Sequence, residues 1–158
     1  MNGKQYNRIM PGRRSAFFEE CLEGGFIGGD WDFSSDLSNE LTEDWHDFNA
    51  KCIPIYLANN PGASKIAAGL ACGMLWTISK GLRINDVVLM PDGHGTYAVG
   101  TITSDYYFAG KDEVLPHRRR VDWNEDRIPR SSMSQSLKNS SGSIGTCCDL
   151  TSYADEIN

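Results

Sequence analysis

The sequence has only three histidines, and its five cysteines form no CxxC pair. Zinc sites are built mainly from cysteine and histidine at close spacings, so the sequence does not indicate one. An odd number of cysteines without regular spacing predicts free thiols in a reducing compartment. No apolar run is long enough to cross a membrane, and the polar start MNGKQYNRIMPGRR lacks the apolar segment of a secretory signal. We therefore expect a cytoplasmic protein.

Motifs of several enzyme classes are also missing. The sequence contains no P-loop, no GxSxG and no GxGxxG after a predicted strand. It lacks the HxE and PCxxC of zinc deaminases and the ExK, DxK or QxK of a metal-dependent nuclease core. A cysteine nucleophile paired with His46, His94 or His117 is the one catalytic arrangement that the residue types leave open. We expect that this chain is not an enzyme and carries no cofactor.

Charges of the two signs are unevenly distributed along the 158 residues, whose net charge is −6. Residues 1–14 contain four basic residues and no acid, and residues 15–50 contain ten acids and no lysine or arginine. Residues 116–138 contain six basic residues against three acids. An interface responds to the local field, so the negative net charge does not exclude a nucleic acid as partner. Two solvated faces of opposite sign are the alternative interpretation.

Local patterns predict helices in the first half of the chain. SAFFEECLE is typical of a short helix, with Ser15 as its N-cap and the Gly24-Gly25 pair as its end. CIPIYL is expected to be extended. PGASKIAAGLACGMLWTIS is the clearest helix, with an apolar stripe that includes Leu70 and Ile78 and small residues on another side. We expect this helix to be buried on two sides.

The other segments predict strands. FIGGDWDF is typical of a strand interrupted by glycines, which mark a bulge or a close approach. DVVLMP and TYAVGTITSDYYF are strands joined by the turn DGHG, with Gly100 at a bulge or contact point. In HRRRVDW, His117 and Arg119 alternate with Arg118 and Arg120. The order predicts one α+β domain: a small, curved, mainly antiparallel sheet or open barrel flanked by helices.

Several segments together resemble one protein family. They are NRIMPGRRSAFFEECLEGGFIGGDWDF, SKIAAGLACGMLWTISKG, NDVVLMPDGHGTYAVGTITSDYYF, LPHRRRVDW and IPRSSMSQSLKNSSGSIGT. These segments resemble the N-terminal domain of Mrr-like, modification-dependent restriction endonucleases, which is similar to the EVE domain of the PUA-like superfamily. The resemblance covers roughly residues 7–150. It departs at Asn85-Asp86, where Gly-Asp is expected, and asparagine tolerates the positive φ of such a turn.

The resemblance implies that residues 1–158 form one reader domain for double-stranded DNA carrying a modified base. A modified cytosine, 5-methyl or 5-hydroxymethyl, is expected first, flipped out of the duplex into an aromatic pocket. A covalently linked C-terminal nuclease domain, absent from this chain and dependent on a divalent metal, would cut modified or phage DNA. The full-length protein would be a type IV-like restriction endonuclease of a bacterial or archaeal cytoplasm, with no membrane partner.

Three points stay open at this stage. An RNA-binding PUA-like module that reads a modified nucleotide is the main alternative. A domain of the same fold that binds a small molecule or a protein would also suit the negative net charge. The resemblance allows a homodimer of the full-length protein, and the sequence does not specify the modification.

Five residues are candidates for the base pocket. Trp31 and Asp30 follow the glycines of FIGGD, where backbone can approach a ligand, and Asp30 could accept a hydrogen bond from N4 of cytosine. Tyr106 and Tyr107 are neighbours on a predicted strand, so at most one of them lines the pocket. Trp76 ends the clearest helix, away from its apolar stripe. Core packing is the alternative role for each aromatic ring.

Basic and hydroxyl side chains are candidates for contacts to DNA phosphates. Arg118 and Arg120 are predicted to point away from Arg119, which we interpret as partly buried and paired with an acid of the first half. The other candidates are Arg13, Arg14, Lys80, Arg130, Ser132, Ser134 and Lys138. A solvated side chain is the alternative for each. Phosphate contacts produce affinity and salt dependence but do not identify a base.

Overall fold

The structure of the chain is a computed structural model that describes residues 3–143 and 145–158; Met1, Asn2 and Ile144 lie outside it. Seven strands form one curled, mixed sheet. They are β1 Tyr6–Ile9, β2 Phe26–Gly29, β3 Val87–Pro91, β4 Thr96–Ile102, β5 Tyr107–Phe108, β6 His117–Pro129 and β7 Cys147–Asp149. The order across the sheet is β2-β6-β4-β3-β1-β7, and β5 pairs with β6. Only β1 and β3 are parallel among the described pairs.

Helices flank this sheet. They are α1 Phe18–Gly24, α2 Trp45–Asn59, α3 Lys65–Trp76, α4 Gln135–Ser141 and α5 Ala154–Ile157. A π-helical turn, Thr77–Gly81, continues α3, and 3-10 turns lie at Arg13–Ser15, Arg130–Ser132 and Thr151–Tyr153. Ser64 and Ser134 begin α3 and α4 by accepting hydrogen bonds from the backbone N–H groups of Ala67 and Leu137. In the described ranges, no helix is both long enough and apolar enough to span a membrane.

The sheet curls until its opposite edges approach each other. Ile27 of the edge strand β2 packs in one buried cluster with Ile9 of β1 and with residues of the strands between them. Cys147 of the other edge strand, β7, packs against the same cluster. A sheet whose two edges share a core in this way is an open half-barrel. The predicted α+β architecture of a curved sheet with flanking helices is therefore confirmed.

Gly100 allows this curvature. The register between β4 and β6 shifts between Ala98 and Gly100, as at a β-bulge. A Cβ atom on Gly100 would lie 2.5 Å from Cγ1 of Val121 and 2.9 Å from the carbonyl oxygen of Asp122. A larger residue would separate the two strands, so the prediction of a bulge or contact point at Gly100 is confirmed.

The first half of the chain is more helical than predicted. CIPIYL lies inside α2, with Pro54 in the helix, so the expectation of an extended segment is wrong. The fully buried Phe48 and Cys52, one helical turn apart, hold this helix against the core, and tertiary packing overrides the proline. Ser15 is also not the N-cap of α1: it lies in a 3-10 turn with φ +59°, and Phe17 precedes the helix.

The burial of α3 differs from its predicted stripe. Ala68, Ala71, Cys72 and Leu75 are buried, whereas Leu70 is 60 % exposed. These buried residues lie on one face of α3, where Cys72 and Leu75 pack with Phe48 and Cys52 of α2, so the expected burial on two sides is wrong.

Candidate functional site

An open cleft of about 390 Å³ lies where the two edges of the half-barrel approach each other. The end of β2 and the turn after it form one side, and the segments after β1 and before β7 form the other. Its lining residues are Met10, Gly12, Arg13, Arg14, Gly28, Gly29, Asp30, Trp31, Leu115, Gly145 and Thr146. We call it the Trp31 cleft. It brings together four of the residues predicted from sequence: Asp30, Trp31, Arg13 and Arg14.

Trp31 occupies a tight turn at the end of β2. The N–H of Phe33 donates to the carbonyl oxygen of Asp30 at 3.2 Å, and Trp31 and Asp32 between them have φ values of +49° and +62°. Two left-handed central residues are typical of a type I′ turn, which favours glycine, asparagine and aspartate over tryptophan. The half-buried indole folds back over Gly29, where a Cβ atom would lie 2.1 Å from the ring. Glycine is therefore required beneath the indole.

Backbone strain is concentrated at this cleft. Three non-glycine residues with positive φ line it: Arg14 (+56°), Trp31 (+49°) and Leu115 (+46°). Ser15 and Asp32, the next residues after two of them, are also in this region. Such conformations cost of the order of 1–3 kcal/mol each and are found preferentially at ligand sites. Their concentration here distinguishes the Trp31 cleft from the rest of the described chain.

Arg118 positions one wall of the cleft. Its Nε donates to the carbonyl oxygen of Leu115 at 3.0 Å, and its Nη2 donates to that of Val114 at 2.7 Å. The guanidinium also lies 3.7 Å from the ring centroid of Phe26. A Cβ atom on Gly28 would lie 2.6 Å from the same Leu115 oxygen, so the wall and β2 are in close contact. Arg118, predicted to contact phosphate, is thus already engaged with backbone carbonyls.

Arg8 positions the opposite wall, and the sequence analysis did not identify it. Its side chain is buried, and Nη1 donates to the carbonyl oxygens of Ser141 and Ser143 at 2.7 Å each. Nη2 donates to the carbonyl oxygen of Gly145, which lines the cleft. Arg8 lies in the short buried strand β1, and no local pattern distinguished it from the other basic residues near the start of the chain. No local pattern marked Leu115.

Three charged side chains lie at the rim beside Trp31. Arg13, Arg14 and Asp30 are all exposed. Oδ1 of Asp30 accepts a hydrogen bond from the N–H of Asp32 at 3.1 Å, which orients the carboxylate. Among residues 3–143 and 145–158, neither arginine side chain forms an ion pair or a hydrogen bond. Both guanidinium groups therefore remain available to an anionic ligand.

Tyr106 belongs to a different, buried network. Its hydroxyl accepts from the N–H of Leu37 at 3.0 Å and donates to Nδ1 of His117 at 2.8 Å. Nε2 of His117 then donates to the carbonyl oxygen of Phe33 at 2.7 Å. This pattern requires neutral His117 protonated on Nε2, because Nδ1 is an acceptor. Burial lowers the pKa of His117 below its ordinary value of 6.5, against the opposing effects of the Phe33 carbonyl, Asp30 and Asp36.

This network predicts a pH dependence of stability. The unfolded chain takes up a proton on His117 near pH 6.5, before the folded chain does, so stability is full above that pH. The stability that neutral His117 contributes is lost as the pH falls from 6.5 towards the folded-state pKa. The free energy of unfolding falls there by up to about 1.4 kcal/mol per pH unit. Urea unfolding between about pH 5 and pH 7 measures this slope, because carboxyl groups titrate lower.

The variant His117→Gln is the comparison for this experiment. Glutamine keeps a donor for the Phe33 carbonyl but does not titrate in this range. The unfolding free energy of the variant should therefore be nearly independent of pH. His94→Gln, at an exposed position, is expected to keep the wild-type slope. An equally steep slope in His117→Gln would contradict the assignment of the pH dependence to this histidine.

The remaining pocket candidates lie outside the Trp31 cleft. Nε1 of Trp76 donates to the carbonyl oxygen of Thr42 at 2.8 Å, and its ring lines a second cleft together with Tyr106. The ring of Tyr107 lies beneath the guanidinium of Arg120, 4.9 Å from its central carbon. The five pocket candidates thus lie in three places: Asp30 and Trp31 in the Trp31 cleft, Trp76 and Tyr106 in the second cleft, and Tyr107 in neither.

The other phosphate-contact candidates also lie outside the Trp31 cleft. Lys80 forms an ion pair with Glu43 at 3.1 Å. The hydroxyl of Ser132 donates to the carbonyl oxygen of Pro129, and that of Ser134 donates to Glu156. Exposed Arg130 and half-buried Lys138 follow β6, on the 3-10 turn and α4.

Four cysteines, three buried and Cys147 half-buried, are not activated for nucleophilic chemistry. Burial raises the pKa of Cys21, Cys52 and Cys147 to about 12 and that of Cys72 to about 11. These thiols are therefore protonated at neutral pH, and the thiolate is the nucleophile. No group of three histidine, cysteine, aspartate or glutamate side chains in the described residues is arranged to hold a metal ion.

Comparison with known proteins gives one family. A family model described as a domain of unknown function (DUF8426) matches residues 8–151, which include both walls of the Trp31 cleft. No curated protein matches the chain.

Proposed function

The chain belongs to the DUF8426 family, whose description specifies no activity, and from its Trp31 cleft we propose that it reads a modified base in DNA. The observation that carries the proposal is one juxtaposition. Residues from two separate segments, Arg13-Arg14 and Asp30-Trp31, meet at the strained opening of the half-barrel. Aromatic, acidic and basic groups are what a flipped, modified base on a phosphate backbone requires.

Trp31 would supply the stacking surface. A flipped base loses its neighbours in the duplex at a cost of a few kcal/mol, and stacking on an aromatic side chain restores about 1–3 kcal/mol. Gly29 beneath the indole and Gly28 beside Leu115 leave backbone at the floor of the cleft, close to a planar ligand. A volume of about 390 Å³ suits one base with its sugar.

Asp30 would read the edge of the base. Its carboxylate is oriented by the N–H of Asp32 and remains exposed at the rim. The exocyclic amino group of cytosine donates hydrogen bonds, and a carboxylate accepts them. A modified cytosine, 5-methyl or 5-hydroxymethyl, is therefore the expected ligand. Cutting of modified or phage DNA would belong to a covalently linked nuclease domain and its divalent metal.

Arg13 and Arg14 would hold the phosphates that flank the flipped base. Each phosphate neutralised by a protein makes the logarithm of the binding constant fall with the logarithm of salt by a slope of about −0.9. We expect Arg13→Gln with Arg14→Gln to reduce the slope by about 2, measured by fluorescence anisotropy from about 50 to about 200 mM salt. The physical reason is the loss of two phosphate contacts.

Lys65→Gln is the matched control, because this exposed lysine begins α3 and does not line the Trp31 cleft. It is expected to leave the salt slope within about 0.5 of the wild-type value. An unchanged slope in the double arginine variant would contradict the assigned role. Competition with single-stranded RNA of the same sequence separates DNA reading from the alternative, a PUA-like RNA module, which would prefer the RNA.

A further inference from the structure

A second cleft, of about 690 Å³, surrounds the π-helical turn after α3. Its lining includes Trp76, Ser79, Lys80, Arg83, Tyr106 and Arg119. We call it the Ser79 cleft. π-Helical turns are rare and occur frequently at functional sites. The function proposed above uses none of these residues.

The hydroxyl of Ser79 is buried in the wall of this cleft without a partner. The residue is 2 % exposed, and its Oγ forms no hydrogen bond within the described residues. A buried hydroxyl without a hydrogen-bond partner destabilises the folded state, so native proteins rarely contain one without a reason. A bound ligand that forms a hydrogen bond with the Ser79 hydroxyl would be such a reason.

Arg119 places a buried cation beside the same turn. It is 2 % exposed, and its Nε donates to the carbonyl oxygen of Ser104 at 2.7 Å. Nη1 donates to the carbonyl oxygen of Ile78, within the π-helical turn, and to that of Leu82, directly after it.

The charge of Arg119 has no close carboxylate partner. No aspartate or glutamate in the described residues lies within ion-pair distance of it, and its Nη2 makes no hydrogen bond there. Asp105 and Asp86 influence it only from farther away. Buried charges are normally paired, so this guanidinium is suited to an anion in the cleft.

Two further cations line the Ser79 cleft. Lys80 is paired with Glu43, whose side chain is 92 % exposed, and such surface ion pairs contribute little. A ligand anion can therefore compete for the lysine. Arg83 is exposed and donates from Nη2 to the carbonyl oxygen of Gly3 at 3.1 Å. Three cations face two acids, Glu43 and Asp105, among the lining residues.

We propose that the Ser79 cleft binds a small organic phosphate with a planar ring, of the nucleoside monophosphate class. One phosphate has enough acceptor oxygens to engage Ser79, Arg119 and Lys80 together. The polar ends of Trp76 and Tyr106 are already bonded to Thr42 and His117, which leaves their ring faces for a planar group. The cleft volume lies in the range of small-molecule sites.

Isothermal titration calorimetry of the intact chain tests this proposal with three probes: cytidine monophosphate, cytidine and inorganic phosphate. Saturable binding of the monophosphate is expected, with the nucleoside at least about tenfold weaker. Ser79→Ala is expected to weaken binding of the monophosphate about tenfold while the variant stays folded, because it removes an unsatisfied group. Lys80→Gln, at a half-buried position, is a second variant expected to weaken it.

Lys65→Gln, which is exposed and lines neither cleft, is the control and should bind the monophosphate like wild type. The proposal is overturned by no saturable binding up to about 1 mM, by full affinity in both Ser79→Ala and Lys80→Gln, or by equal weakening in the control. Loss of binding in Arg13→Gln with Arg14→Gln would also overturn it, because the monophosphate would then bind in the Trp31 cleft. The affinity for duplex DNA is measured as well, and Ser79→Ala should bind the duplex as tightly as wild type. Loss of DNA binding in this variant would instead assign the phosphate to the DNA backbone.

Discussion

Trp31→Ala is expected to weaken binding of the preferred modified duplex by roughly 5- to 150-fold, which corresponds to the loss of one stacked base at about 1–3 kcal/mol. Binding of the unmodified duplex should change much less, because phosphate contacts of Arg13 and Arg14 are independent of the indole. The selectivity for modification should therefore disappear, while weak, salt-sensitive binding remains. Fluorescence anisotropy with matched duplexes measures both quantities.

Trp31→Phe is the matched control for this result. Phenylalanine keeps an aromatic face at the same strained position, so it should retain most of the selectivity. Trp31 also packs against two buried clusters, and the melting temperature of each variant must be compared with its affinity. A folded Trp31→Ala protein with full selectivity would exclude the indole as the reading surface.

Arg119→Met is expected to destabilise the fold by about 3 kcal/mol or more. The substitution leaves the buried carbonyl oxygens of Ile78 and Leu82 and the partly buried one of Ser104 without their donor, and each such loss costs about 1–3 kcal/mol. Removing a buried charge offsets part of this cost. The midpoint of urea unfolding, at constant m-value, measures the difference.

The neighbouring arginine provides a direct comparison. Arg120 is on the opposite face of β6 and exposed, so Arg120→Met should change stability by no more than about 0.5 kcal/mol. The two variants remove the same charge from adjacent positions of one strand. Equal effects on stability would contradict the view that burial and carbonyl contacts, and not charge alone, define the role of Arg119.

The features that depend on local periodicity could be predicted from the sequence. Alternation along HRRRVDW placed His117 and Arg119 inside and Arg120 outside, as observed. Gly25, with φ +67°, ends α1 as the glycine pair predicted, and Gly100 lies at the β-bulge. In each case one residue and its neighbours determine the conformation.

Features that depend on distant contacts could not be predicted in this way. Pro54 is tolerated in α2 because Phe48 and Cys52 pack against the core, which no local propensity shows. Arg119 was expected to pair with an acid, but it donates to three carbonyl oxygens, which come from the π-helical turn, the residue after it and the loop after β4. These acceptors are distant from Arg119 in the sequence, so only the folded structure shows that they are its partners.

In the candidate site, too, only the locally determined features could be predicted. The glycines before Asp30 and Trp31 indicated a close approach of backbone, and the structure places both residues in one cleft with Arg13 and Arg14. Trp76 was expected beside them, but it lines the Ser79 cleft. Aromatic residues are common in core and pocket alike, so residue type alone could not distinguish the two clefts.

The most direct test of the account is fluorescence anisotropy of the chain with one duplex in four forms: unmodified, 5-methylcytosine, 5-hydroxymethylcytosine and N6-methyladenine. We predict that one duplex with a modified cytosine binds at least about tenfold more tightly than the unmodified duplex, at low and at moderate salt. Equal, weak binding to all four forms would contradict the proposal that this domain reads a modified base.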